Sequence, residues 1–443
     1  MTEILKRKIS LIQATSINMI DMVGIGPFVV IPVVISYFNS PLFLWAWILG
    51  AVIAVFDGMI WAELGAAYPL AGGSYNFLRE AYGKKWGRMM SFLFVWQTSI
   101  QAPLVVASGA IGFSQYFKYL VPNLGYYEQK LVSVVVILLI TLLLYRKIET
   151  IGKISVFLWI CVLCTISWII IGGLTKSQVS FSFMNGSEQS FFIAEFWVVL
   201  GQGSVKTIYS FLGYYNVCHL GGEIINPQKN IPRSIFISVA GITFLYLCMN
   251  LSIVHVIPWQ EVSRYDFIVS IFIERLYGFT AARIATGLVL CVAFSSLFAV
   301  LLGYSRVPYA AALDGNFFPA FARLHPTKNF PYVSLLFISA LALVFSFSFS
   351  LKGVISAILA MRILVQFIAQ AIGVVLLRLK NANKERPFSM WGFPLPVIIS
   401  ILIWLYVFIS TGWYALWGVL IATAGYIVYV VRTRVARKRL SQH

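Results

Sequence analysis

Acidic residues are scarce in this sequence. Its 443 residues hold 15 Asp and Glu against 33 Lys and Arg, and all charged residues together make up 11%. Soluble domains carry about 25% charged residues, so a water-exposed globular fold is excluded. Histidine occurs only at His219, His255, His325 and His443, without the spacing of a zinc hydrolase or a nucleophile–base pair. The five cysteines (Cys161, Cys164, Cys218, Cys248, Cys291) lie in apolar runs. Cys161-x-x-Cys164 has no second pair, so these residues read as packing groups, and no metal site or cofactor is expected. A Walker-type glycine–lysine loop is missing, which argues against an ATP-driven pump. Gly24-x-Gly26 lacks the third glycine of a dinucleotide site.

What the chain has is apolar surface: 60% hydrophobic residues and a mean hydropathy of +0.86. Apolar runs predict twelve membrane spans at residues 11–37, 41–67, 88–117, 129–145, 152–174, 192–219, 233–257, 281–311, 332–350, 354–379, 394–411 and 413–431. No connection is long enough for a separate soluble domain. Lys6-Arg7-Lys8 precedes a run too long for a signal peptide and without a small-residue cleavage site, so it reads as an uncleaved first span.

The net charge of +18 is unevenly placed. With the N-terminus in the cytoplasm, the inner connections hold Lys6–Lys8, Lys84, Lys85, Arg88, Arg146, Lys147, Lys384 and the tail Arg432–Arg439. The outer ones hold only Lys118, Lys130, Lys176, Arg264, Arg275, Arg283 and Lys352. This bias predicts a multi-pass protein of the cytoplasmic (cell inner) membrane with both termini inside. The basic charge then contacts anionic membrane lipids and is not a nucleic-acid footprint.

Two spans are interrupted, five apart. The first breaks at Gly24-Ile25-Gly26-Pro27-Phe28 and the sixth at Ser210-Phe211-Leu212-Gly213-Tyr214-Tyr215-Asn216. Backbone groups cannot stay unpaired against lipid, so paired breaks predict a binding site near the bilayer midplane of a secondary transporter. The two halves are expected at residues 1–174 and 175–379, the second inverted because each holds an odd number of spans. Residues 380–443 carry spans 11 and 12 and the basic tail. The first break predicts a half-helix restarting after Phe28, with free N–H groups at Ile25, Gly26 and Phe28. The second offers carbonyls of Ser210, Phe211 and Leu212 around a flexible Gly213, with Tyr214 and Tyr215 as wall or gate residues.

Polar residues within the spans supply further candidates. Gln97 and Gln101 lie one turn apart on span 3, Ser295 and Ser296 on span 8, and Arg362, Gln366 and Gln370 form a stripe on span 10. Such stripes line a wet path or bond neighbouring helices. Asp21 and Asp57 fall at similar depth on spans 1 and 2, which predicts an interacting pair able to take up a proton or sodium ion. The alternative is that each accepts hydrogen bonds from neighbouring helices. Lys206 and Arg362 fall in the outer half, where pairing with Glu274 or Asp266 makes a gate. Snorkelling is the simpler fate for Lys206.

Four stretches carry a resemblance: Gly24–Phe28, Glu63–Gly83, Gly222–Arg233 and Ser305–Gly315. In this order, over essentially the whole chain, the sequence resembles the amino acid–polyamine–organocation permeases. The resemblance implies an all-α integral membrane fold, a LeuT-like five-plus-five inverted repeat with broken helices 1 and 6, moving amino acids by alternating access. It also implies that the substrate carboxylate meets the glycine break and that its ammonium meets the sixth-span carbonyls. Pro27 departs from the family's usual aliphatic residue there. Many proton-coupled members use a lysine midway along span 5; here only Lys153 is near, at the inner end. A polyamine or organic-cation exchanger and a non-transporting amino-acid sensor are the alternative readings.

Overall fold

The computed structural model describes residues 5–38, 40–176, 194–348, 354–381 and 385–440. Lys352, Lys384, His443 and the expected span ends at 192–193 and 349–350 lie outside them. Among the described residues all regular secondary structure is helical, as hydrocarbon demands of a chain with no closed barrel.

The first span is α1 (Leu11–Met22) and α2 (Gly26–Phe38), bent by 41° at the break. Ser10 starts α1 with a reciprocal cap, Gln13 N–H to Ser10 Oγ and Ser10 N–H to Gln13 Oε1. There follow α3 (Leu44–Ala67), a short surface helix α4 (Ser74–Ala81), α5 (Gly83–Phe117), α6 (Tyr126–Leu144) and α7 (Ile148–Thr175). At 35 residues, α5 is about 52 Å long at 1.5 Å per residue. That exceeds the hydrocarbon thickness, so α5 extends beyond it.

The sixth span is α8 (Ala194–Phe211), an irregular turn, and the single-turn α9 (Asn216–His219). Next come α10 (Pro227–Val254), the short helices α11 (Trp259–Val262) and α12 (Ile268–Tyr277), α13 (Phe279–Tyr304) and α14 (Arg306–Leu313). The chain ends with α15 (Tyr332–Ser348), α16 (Val354–Arg362), a wide π-turn at Ile363–Ile368, α17 (Ala369–Lys380), α18 (Leu395–Ser410) and α19 (Tyr414–Leu440).

Among the described residues, eight helices are long and apolar enough to cross a membrane, or nine with the bent pair; adding the shorter apolar α15 and α18 and the broken α8–α9 pair gives the expected twelve. Boundaries differ from the sequence reading where helices run past the hydrocarbon: span 3 starts at Gly83 and span 7 at Pro227. Proline in a helix's first turn lacks only an N–H that would be unpaired anyway, which lets α10 begin early.

The broken spans sit at the centre. Helix α1 packs on α7, α10 and α13, and α8 lies against α2 and α3. The face bearing the N-terminus is latched by ion pairs. Arg306 grips Glu223 through two 2.9 Å bonds, both residues buried. Glu63 accepts from Arg378 Nε at 2.8 Å and from the Met390 N–H at 2.8 Å. Arg79 pairs with Asp314, which also accepts from Tyr75 at 2.6 Å. These acids come from the motifs 63–83, 222–233 and 305–315, so those stretches build one closed face. The N-terminal strap joins it: Lys8 and Ile9 N–H groups donate to the Glu223 carbonyl, and Ile225 N–H donates to Ile9.

Candidate functional site

Helix α2 begins at Gly26, three residues before the expected restart after Phe28. The cause is Pro27, whose fixed φ suits a first helical turn. The N–H groups of Ile25, Gly26 and Phe28 make no hydrogen bond among the described residues, while Val29 N–H already bonds back to Ile25. They are the orphan donors of a helix start, where the dipole favours an anion.

The two breaks touch. Gly213 has φ +129°, and a Cβ there would lie 2.7 Å from the Met22 nitrogen and 2.8 Å from the Asp21 carbonyl carbon. Only glycine permits both that conformation and that approach. Side chains from α1 then satisfy the broken backbone of span 6. Asn18 Nδ2 donates to the Tyr214 carbonyl at 2.7 Å, and its Oδ1 accepts from the Val217 N–H at 2.9 Å. Asp21 accepts from Asn216 Nδ2 at 2.7 Å. The Tyr246 hydroxyl, from α10, sits 2.8 Å from the Met22 carbonyl and 3.1 Å from the Ser210 carbonyl. It therefore ties the ends of α1 and α8 together.

A cavity opens beside this junction. One wall is Asp21, Gly24, Ile25 and Gly26; another is Tyr209, Ser210, Leu212 and Gly213. Ser108 and Gly109 of α5, Ser296 and Tyr304 of α13, Tyr215 and Arg362 complete it. Ser296 Oγ donates to the Asp21 carbonyl at 3.2 Å and presses on Gly24, where a Cβ would lie 2.7 Å from it. Arg362, 3% exposed, donates from Nη2 to the Tyr215 and Tyr304 hydroxyls and from Nε to Gln366 Oε1 at 3.1 Å. It sits at the wide turn of span 10, a distortion frequent at functional sites. Its guanidinium is within electrostatic reach of Asp21 but not bonded to it.

Other expected residues differ in role. Phe28 and Phe211, expected for their backbone groups, bury their side chains in the core, and Phe211 packs edge-on to Trp47 and Tyr246. The Ser210 carbonyl is occupied by Tyr246, leaving those of Phe211 and Leu212 without a donor among the described residues. Ser295 bonds back to Cys291 at 2.6 Å and does not reach the cavity. Asp57 and Asp21 share no partner. Asp57 accepts from Tyr214 at 2.5 Å, Trp61 at 2.8 Å and Trp404 at 3.2 Å, knitting spans 2, 6 and 11 together. Tyr214 is thus a strut, not a wall. The gate pairing also fails: Lys206 donates to Ser356 Oγ at 3.1 Å, Glu274 accepts from Tyr119 at 2.7 Å, and Arg362 meets hydroxyls. Lys153 is exposed near the start of α7, away from the cavity.

Sequence reasoning missed Asn18, Tyr209, Tyr246 and Tyr304. Asn18 carried a signal, since it precedes Asp21 by three residues and so shares its helix face. The tyrosines carried none among 22.

Residues 9–431 match the sequence profile of a family described as amino acid permease. The serine/threonine exchanger of Bacillus subtilis is 27% identical over 407 residues, covering 90% of this chain and 89% of that one. The human cystine/glutamate transporter is 26% identical, covering 89% and 78%, and the branched-chain amino acid permease of Bacillus subtilis is 22% identical, covering 97% and 94%. A multi-pass helical chain with a cavity between two broken spans, matched over nearly its full length, belongs to the amino acid permease family, with its all-α LeuT-like fold.

Proposed function

We propose that this chain is a secondary transporter of amino acids working by alternating access, and not an enzyme. The observation that carries the reading is the complementarity of the breaks. The N–H groups of Ile25 and Gly26, unpaired among the described residues, belong to one wall, and the Leu212 carbonyl, likewise unpaired, belongs to the other. An α-amino acid presents a carboxylate to the first and an ammonium to the second. The relatives' names, all amino acid carriers, support it. Residues 1–174 and 175–379 are the two inverted halves in this reading. The latched face is cytoplasmic by its lysine and arginine excess.

Arg362 narrows the substrate. A cationic side chain about 4 Å from its guanidinium is repelled by about 4 kcal/mol at an effective dielectric of 20, offset only in part by Asp21. That disfavours polyamines and basic amino acids and favours neutral or anionic side chains, matching the names of the serine/threonine and cystine/glutamate relatives. Asp21, the one acid among the described residues of the cavity wall, is the group suited to take a coupled proton or sodium ion.

A thermal-shift screen of the purified protein against the common amino acids tests the site. Ligand at one hundred times its Kd stabilises by about 2.7 kcal/mol. A neutral or acidic amino acid should raise Tm, its carboxamide derivative should not, and Gly26→Val should abolish the shift without lowering expression. Equal binding of acid and amide would remove the carboxylate from the first break.

A further inference from the structure

Between the cavity and the latched face lies a column of buried polar side chains, each with at least one hydrogen-bonding atom that has no partner among the described residues. On α5, Gln97 lacks a partner for Nε2 and Gln101 for both amide atoms; in span 10, Gln366 and Gln370 lack one for Nε2. All four are at most 2% exposed. His219, fully buried, has the Gly72 backbone beside its ring but no well-aligned hydrogen bond at either nitrogen among the described residues, and aromatic rings enclose it, with Tyr304 at 5.2 Å and Phe94 at 6.3 Å between centroids. Contacts join most of its members. Arg362 in the cavity wall bonds Gln366, and Gln101 lies beside Tyr304 without a well-aligned hydrogen bond. Gln370 follows Arg362 by eight residues, about 12 Å along the helix, and accepts from Ser74 Oγ at the start of α4. A Cβ on Gly73, next to Ser74, would lie 2.7 Å from His219 Nδ1, so the backbone there runs close to the ring.

Buried amides and imidazoles are nearly always satisfied in native proteins. A concentration of orphans in one seam, between spans 3, 6 and 10, needs a physical reason. Packing alone does not supply one, because leucine or methionine would fill the same space without the desolvation cost. Water bridging buried polar groups does.

We propose that this seam is the exit half of the permeation path, closed in this conformer. Gln97, Gln101, Gln366 and Gln370 hold water when it is shut. When it opens they hydrogen-bond the carboxylate and ammonium of the passing substrate in turn. Ser74 and the Gly72–Gly73 turn plug its far end: Gly72 N–H bonds the His219 carbonyl at 2.9 Å. Release therefore requires the α4 segment to part from span 10 and from the 216–219 turn. The proposal rests on the transport reading above.

The test replaces orphan amides distant from the cavity, as Gln97→Leu and Gln370→Leu, in the full chain in proteoliposomes. A shut path predicts unchanged or higher Tm, substrate Kd within threefold of the parent, and uptake reduced tenfold or more. Wild-type uptake with a raised Tm overturns it, as does loss of binding together with uptake. A second measurement does not depend on those variants. A Gln370→Cys thiol should react with an impermeant methanethiosulfonate from the N-terminal face several-fold faster during turnover than without substrate. Labelling absent while uptake continues also overturns the proposal. If the parent protein itself shows no uptake, the transport reading fails; if only the variants behave like the parent, the seam alone fails.

Discussion

Gly213→Ala is the sharpest perturbation of the junction between the two breaks. Alanine at φ +129° is forced into a region that costs non-glycine residues about 1–3 kcal/mol. Its methyl would stand 2.7 Å from the Met22 nitrogen and 2.8 Å from the Asp21 carbonyl carbon, both backbone atoms that cannot rotate away. The breaks must separate, and the Asn18, Asp21 and Tyr246 bonds across them must lengthen. The control is Gly26→Ala, whose methyl meets nothing closer than 3.6 Å. Titration calorimetry should find Gly213→Ala weaker by tenfold or more, since about 1.4 kcal/mol is one decade in affinity, with Tm lowered. Gly26→Ala should keep the parent Tm. Parent-like affinity and Tm in Gly213→Ala would refute the reasoning, because contact between the breaks would then carry no energetic weight.

Asn18→Ala leaves the Tyr214 carbonyl and the Val217 N–H unpaired in the interior; at about 1–3 kcal/mol per lost buried partner, its Tm should fall more than that of any exposed-site alanine variant. Arg306→Ala isolates the buried Glu223 carboxylate and should cost about 3–5 kcal/mol, read as a large loss of Tm, while Arg275→Ala, which breaks an exposed pair, should cost less than about 1 kcal/mol. Asp21→Asn should flatten the pH or sodium dependence of uptake, whereas Asp57→Asn should lower Tm and leave those profiles in place. Arg362→Gln should weaken binding of acidic amino acids at least tenfold and relax the exclusion of basic ones; an unchanged preference order would take Arg362 out of specificity.

How far the sequence foretold this depended on which dimension it encodes. The breaks were legible because a glycine–proline cluster in an apolar run has few other uses. Position along the helices was legible in part: Asp21, Gly24 and Arg362, placed by rise per residue, come together in one cavity wall. Azimuth was not. Asp57, counted along span 2 to a depth like that of Asp21, turns its side chain toward Trp61, Tyr214 and Trp404, and nothing in span 2 says which neighbour it faces. Lys206 and Arg362 looked alike as cations of the outer half. The wide turn after Arg362, which helps set its direction, has no sequence signature in Ile363–Ile368. The motifs 63–83, 222–233 and 305–315 advertised the family, but their shared purpose, one ion-paired face, needed three remote acids and their arginines to be seen together.

A secondary transporter must move its amino acid across a bilayer, and that movement can be measured directly. Purified protein in proteoliposomes loaded with the amino acid that most raises its Tm should accumulate the same labelled amino acid from outside, and Gly26→Val should reduce that signal to the level of empty vesicles. Binding in the thermal-shift assay with no uptake or exchange above empty vesicles, under proton gradients, sodium gradients and counterflow alike, would contradict it and mark the chain as a receptor.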